Sequence, residues 1–97
     1  MITLLPRPAA VADLQAAVVW HDERQAGLGR EVMDTVEHKL TQIESNPLQF
    51  PIARSSTRRA IVMRFTYGIF YVLRRNLVSV LAVMHHARAP LRWHRRT

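Results

Sequence analysis

The sequence of 97 residues predicts an α+β fold in which a helical hairpin packs on one face of a small antiparallel sheet. Two observations predict this class. Apolar residues recur every three or four positions between residues 9 and 45, where a glycine-containing break separates two segments. From residue 59 to residue 85 apolar residues instead alternate or cluster, and many are β-branched or aromatic. The length is that of one domain, residues 1–97.

The first part of the chain predicts a short strand and two helices. Residues 2–5 are expected to form the strand, and Pro8 suits a first helical turn, where a missing N–H costs nothing. The first helix is expected over residues 9–25 and the second over residues 30–45. Pro47 ends the second helix, because proline disfavours α geometry in the residue before it. The order of all elements is β-α-α-β-β-β.

The second part predicts three strands, over residues 59–65, 69–73 and 77–85. Residues 47–57 are expected to form a loop. In the first of the three strands, the alternation places Ile61, Met63 and Phe65 on one side. The last strand is the most apolar and is expected at the centre of the sheet. Asn76 is the residue of the final hairpin turn that best tolerates positive φ.

Positive charge is concentrated in the second half of the chain. The formal net charge is +7, yet residues 1–50 contain four basic and seven acidic residues, whereas residues 51–97 contain ten arginines and no acidic residue. These arginines must face solvent, the acidic first half or an anionic partner. Arginine favours bidentate contacts with carboxylates and phosphates. We therefore expect the sheet face opposite the helices to carry the arginines and to bind something negative.

Composition also excludes several classes of protein. Without cysteine the chain has no disulfide framework and no zinc–thiolate site. Its apolar runs are far shorter than the ~20 residues of a membrane helix. The sequence therefore predicts a cytoplasmic protein without membrane contact, and it shows no motif for a metal or another cofactor.

Several blocks of the sequence resemble the RelE/ParE superfamily of toxins from type II toxin–antitoxin modules. Trp20-His21 late in the first helix, followed by the break at residues 27–29, is similar to the opening of these proteins. The strongest block covers residues 59–71 and is followed by residues 80–90 and Trp93. The order and spacing of these blocks are similar to those of chains called plasmid-stabilisation proteins, over nearly the whole sequence.

The resemblance implies a toxin that inhibits growth of a bacterial host cell and a small acidic antitoxin that neutralises it, with a heterotetramer as a candidate assembly. Two targets stay open. ParE-like members bind DNA gyrase, whereas RelE-like members are ribosome-dependent mRNA endoribonucleases. The resemblance slightly favours gyrase, because Ile61 and Gly68 stand where the nucleases carry cations. A nucleic-acid-binding module without toxicity is a third alternative, and whether the chain is an enzyme stays open.

The candidate residues depend on the target. In a nuclease, arginines stabilise the pentacoordinate phosphate and a histidine moves protons, so the catalytic candidates are Arg59, Arg64, His85, His86, Arg88 and His94. Only one of the two adjacent histidines can face a given cleft, because neighbouring strand residues point to opposite faces. The candidates for binding a partner are Arg58, Arg74, Arg75, Arg92, Trp93, Arg95 and Arg96.

Overall fold

The computed structural model describes residues 1–85. In chain order these residues form β1 (Thr3–Pro6), α1 (Pro8–Arg24), α2 (Leu28–Ser45), β2 (Ile52–Arg54), β3 (Thr57–Val62), β4 (Tyr67–Arg74) and β5 (Leu77–His85). The two helices form a hairpin beside the sheet, which confirms the α+β class. In this part of the chain neither helix combines the length and hydropathy needed to cross a membrane.

The five strands form one mixed sheet in the order β1-β5-β4-β3-β2. The predicted all-antiparallel pairing is wrong at one edge, because β1 pairs with β5 in parallel. The Thr3 N–H donates to the Asn76 oxygen at 2.8 Å and the Arg7 N–H donates to the Val80 oxygen at 2.9 Å, which fixes β1 alongside the first half of β5. The middle strand is β4, so residues 77–85 lie inside the sheet but not at its centre.

Two further expectations for the sheet need correction. The predicted loop over residues 47–57 contains β2, which pairs with β3 across an irregular register. Within β3, Ala60 and Val62 are buried against the helices, whereas Met63 lies in the following turn and is 80% exposed. The strand predicted over residues 59–65 therefore ends three residues earlier than expected, at Val62, so that Phe65 also lies in the turn.

The main core lies between α2 and the helix-facing side of the sheet. Val32, Val36 and Ile43 of α2 are fully buried and belong to one apolar cluster with Ile69 of β4 and Val78 of β5. Their spacing of four and seven residues puts them on one face of α2. Burying each such side chain contributes about 1.5–3 kcal/mol, and Ala10 and Ala17 of α1 belong to the same cluster, so both helices attach the hairpin to the sheet.

The turn between the helices depends on one carboxylate and two glycines. Asp22 Oδ1 accepts the Gly27 N–H at 2.9 Å and the Gly29 N–H at 3.2 Å, which satisfies amides at the start of α2. Gly27 has φ 90°, a conformation that favours glycine. Gly29 is buried where α2 comes closest to α1, beside the backbone of Val18.

Tyr71 joins the end of α2 to the middle strand. Its side chain is fully buried, and its hydroxyl donates to the Pro47 carbonyl oxygen at 2.6 Å. Burial raises the pKa of Tyr71 from 10.0 to about 12, although the positive charge of Arg58 acts in the opposite direction. The hydroxyl therefore stays protonated, and stays a donor, throughout the neutral range.

Replacing Gly29 with alanine is expected to destabilise the protein. The added Cβ would lie 2.6 Å from the Val18 carbonyl oxygen, so the two helices would have to separate. We expect the free energy of unfolding to fall by about 1–3 kcal/mol in urea denaturation followed by circular dichroism. Gly27→Ala is the control, because its Cβ would meet nothing within 4 Å and only its φ is unfavourable, at a cost of about 1 kcal/mol. A loss for Gly29→Ala no larger than for the control would contradict the argument from crowding.

Tyr71→Phe is expected to reduce stability and to change its dependence on pH. Loss of the donor leaves the Pro47 oxygen without this bond, at a cost of about 1–3 kcal/mol. In the original protein, Tyr71 is protonated in both states below pH 10; between pH 10 and about 12 the unfolded state ionises first, so stability falls as pH rises. Urea denaturation across this range should show a shallower fall for Tyr71→Phe. Equal slopes in the two proteins would contradict the raised pKa.

Candidate functional site

The candidate site is the sheet face that points away from the helices. Because side chains alternate along a strand, the register places Arg59 of β3, Phe70 of β4 and Ala82 of β5 side by side on this face. The neighbouring row contains Ile61, Gly68 and Met84 in the same strand order.

An apolar cluster forms the floor of this face. Phe70 and Ala82 are almost completely buried, and Met84 packs against them. The Phe70 ring lies over Gly68, since a Cβ built on Gly68 would come within 3.0 Å and 3.1 Å of two ring carbons. The same Cβ would lie 3.4 Å from Cδ of Arg59, so the arginine stem lies along the same surface.

Arg59 is the more buried of the two arginines that belong to this face, since Arg74 is exposed. Its side chain is partly buried, and its Nε, which is shielded from solvent, has no hydrogen-bond partner in the structure. A guanidinium held against an apolar surface can bind a carboxylate or a phosphate with little loss of side-chain freedom. None of the other five residues in these two rows can transfer a proton near neutral pH.

His85 lies on the opposite face of the sheet. It pairs with Tyr67 and lines a cleft of about 510 Å³ between α1 and the ends of β4 and β5, together with Trp20, His21 and Phe65. A bulge in the β4–β5 pairing leaves Leu81 as an extra residue and turns the rest of β5 over. The structure therefore does not bring Arg59 and His85 together.

Arg58 and Arg64 are engaged with neighbouring parts of the chain. Nη1 of Arg58 donates to the Phe50 carbonyl oxygen at 2.7 Å and lies 3.4 Å from that of Leu48, which fastens the segment before β2. Nη1 of Arg64 forms an ion pair with Oε1 of Glu31 on α2, and its guanidinium lies over the Phe65 ring, 5.1 Å from the ring centre.

Arg74 and Arg75 are exposed at the hairpin between β4 and β5, at the far end of β4 from Tyr67. Arg75, rather than the expected Asn76, has positive φ, at 57°. The prediction that one sheet face carries the arginines is therefore wrong for the described residues. Arg59 and Arg74 belong to that face by register, whereas Arg64 is bound to α2 and Arg58 to the segment before β2.

Seven predicted site residues lie outside the part of the chain that the structure describes, namely His86, Arg88, Arg92, Trp93, His94, Arg95 and Arg96. Their proposed roles stay predictions from the sequence.

Sequence reasoning did not identify Phe70 and the aromatic cleft. The spacing of Gly68 and Phe70, two residues apart on one strand, was the available signal that the ring could lie over the glycine. In the cleft, Nδ1 of His21 donates to the Ala17 oxygen at 2.8 Å, and its ring lies edge-to-face with Trp20, Phe65 and Tyr67. Two pairs of rings from distant parts of the sequence meet here, so neither segment alone predicts the cleft.

Comparison with known proteins gives two similarities. A family model described as "ParE toxin of type II toxin-antitoxin system, parDE" matches residues 4–90. A solved structure described as "Chromosomal ParDE TA system from P. aeruginosa" matches with a TM-score of 0.67 and 14% identity, covering 88% of this chain and 96% of that chain. At this identity the second similarity shows the fold alone. A search of curated proteins gave no match.

Proposed function

Because this chain belongs to the ParE toxin family of type II toxin–antitoxin systems, we propose that it inhibits bacterial growth by binding DNA gyrase. We further propose that a small acidic antitoxin neutralises it, in a complex that contains two copies of each protein. Both partners meet the toxin in the cytoplasm.

The apolar row beside Arg59, formed by Ile61, Gly68 and Met84, is the main observation that supports binding of a target without cleavage of RNA. Ile61 and Gly68 pair directly across β3 and β4. By the resemblance to the RelE-like members, these are the positions that correspond to cations of the nucleases. The Phe70 ring occupies the space over Gly68, so a larger residue there would have to displace it. A phosphate placed on this row would contact apolar side chains and no cation. This supports inhibition by binding of a target protein rather than by cleavage of a phosphodiester bond.

The positions of Arg59 and His85 also favour binding over cleavage. A general base must lie within hydrogen-bond reach of the proton it removes, close to the groups that stabilise the phosphate. Here the sheet itself separates the two side chains. The RelE-like alternative would need Arg88, His86 or His94 to supply the missing chemistry, and only the sequence supports such roles.

The excess of positive charge supports an acidic antitoxin. The second half of the chain contains ten arginines and no acidic residue, so its charge is not balanced locally. Among the described arginines we assign Arg59, Arg74 and Arg75 to the contact with the partner, and Arg92, Trp93, Arg95 and Arg96 complete the proposed contact. Arg58 would contribute only if its bond to the Phe50 oxygen were exchanged.

Induction of the chain in bacteria is expected to arrest growth while mRNA stays intact. The purified protein should inhibit supercoiling by DNA gyrase, and co-expression of the acidic protein encoded beside it should restore growth. Primer extension on mRNA from the same cells tests the alternative. Cuts at codon spacing together with unaffected gyrase would contradict the proposal and favour the endoribonuclease.

Arg88→Ala is expected to abolish growth arrest and to reduce gyrase inhibition at least about tenfold, because we propose that Arg88 contributes a charged contact to the target whichever of the two targets applies. Binding to the antitoxin in a pull-down assay should stay measurable. Arg30→Ala is the matched control, since Arg30 is an exposed arginine on α2, paired with Asp34, and should leave toxicity unchanged. Toxicity retained by Arg88→Ala would place the active surface elsewhere.

A further inference from the structure

The sheet face that carries Arg59 is buried over its centre. Phe70 and Ala82 are 1% and 0% exposed, and Thr57 and Val72 beside them are 0% and 4% exposed. Alternation along the strands places all four on the side that points away from the helices. A sheet residue with neighbours only in its own layer keeps its outer side in water. Burial of this degree therefore requires a second layer on this face.

Water is also excluded from two polar atoms on this face. The hydroxyl of Thr57 and the Nε of Arg59 are both shielded from solvent, and neither has a hydrogen-bond partner in the described structure. On the outside of an uncovered sheet both atoms would be hydrated, and an unpaired donor away from water is costly. These two atoms are therefore a second, independent indication of a covering layer.

The described elements do not supply this layer. Both helices pack on the opposite face, in the main core cluster that includes Val36. The connections before β2 and after β3 also turn to that side, since Phe50 and Phe65 pack against the same cluster. Within the described part of the chain, Met84 is the apolar side chain that packs against Phe70, and it lies in the same layer of the sheet.

Residues 86–97 are the rest of the chain, and they begin within reach of this face. They follow His85, the last residue of β5, and Ala82 lies three residues before that end, about 10 Å back along the strand. The six steps from His85 to Leu91 span up to about 20 Å. The chain is thus long enough to return over Ala82. Because the burial is that of a single chain, it favours this segment over a second copy or an acidic partner as the covering layer.

We propose that the face centred on Phe70 is the docking site of residues 86–97, and that Leu91 covers the Phe70 ring. Leu91 is the large aliphatic side chain of this segment. Because a guanidinium is costly to bury against an apolar ring, Arg92 then projects outward, on the same side of the sheet as Arg59. The proposal concerns the chain by itself and does not depend on gyrase or on the antitoxin.

Labelling of a thiol at position 82 tests the proposal. The chain has no cysteine, so Ala82→Cys places a single thiol at the centre of the face. In the full chain, made by cell-free synthesis, we expect this thiol to react with a maleimide at least about a hundredfold more slowly than in urea. Adding Leu91→Asp should speed the reaction in the folded chain at least about tenfold, because a carboxylate does not stay over an apolar ring.

Leu48→Asp is the matched control for this labelling. Leu48 is 62% exposed in the connection before β2, so the same substitution there should leave the rate at Ala82→Cys unchanged. Circular dichroism should show that all three variants are folded.

A pair of cysteines tests the position of the segment directly. Ile61 pairs with Gly68, over which the Phe70 ring lies, so Ile61→Cys is close to the proposed place of Leu91. With Leu91→Cys it should form an intramolecular disulfide under mild oxidation. Thr41→Cys with Leu91→Cys is the control pair, since Thr41 lies on the exposed side of α2, and it should oxidise at least about tenfold more slowly.

Three results would overturn the proposal. The first is a thiol at position 82 that is labelled equally fast with and without Leu91→Asp, and the second is equal oxidation of the two cysteine pairs. The third is protection that arises only when the protein is concentrated about a hundredfold or when the antitoxin is added, since the covering layer would then be a second copy or that partner. A chain that protects the thiol as described but does not arrest growth would refute the proposed function alone.

Discussion

The position of β4 in the middle of the sheet is the constraint on which the rest of the molecule depends. Residues from Gly68 to Val72 are buried on both faces of the strand. Ile69 and Tyr71 point to the helices and form part of the main core, whereas Gly68 and Phe70 belong to the opposite face. Because one strand serves two apolar layers, charged groups are displaced to the margins of the sheet and to its turns.

This arrangement changes the interpretation of the arginine-rich half of the chain. A dense cationic surface would bind any polyanion with steep dependence on salt, and it would carry little specificity. The described arginines are instead divided among β2, β3, the turn after β3 and the β4–β5 hairpin, and two of them bind other parts of the chain. Recognition of a protein partner, in which a few oriented guanidinium groups surround apolar residues, fits this distribution better than recognition of a nucleic acid.

Much of the fold could be predicted from the sequence because its periodicity is strong. The two helices and the bounds of β5, residues 77–85, agree with the structure, since long periodic segments leave few alternatives. Alternation does not reveal which of the two faces of a strand points to the core. The turn after Val62 decides that Ala60 rather than Ile61 faces the helices, and the bulge at Leu81 decides the face of His85. Pairing between distant strands determines the face on which Ala60 lies and the face on which His85 lies. No local sequence pattern contains that information. Of the residues in the two rows of the candidate sheet face, only Arg59 was therefore predicted as a site residue, and its apolar neighbours became visible only from the pairing of the strands.

The bond between Tyr71 and Pro47 also bears on how the molecule opens. Pro47 lies two residues after the end of α2, and Tyr71 lies in the strand with neighbours on both sides, so one buried hydroxyl connects the helical layer to the sheet. Local fraying of the second helix from its C-terminal end would expose a carbonyl group and a phenol together. Such linkage makes separate opening of the helical layer more costly by about the 1–3 kcal/mol of this buried bond, so it favours concerted opening of the two layers.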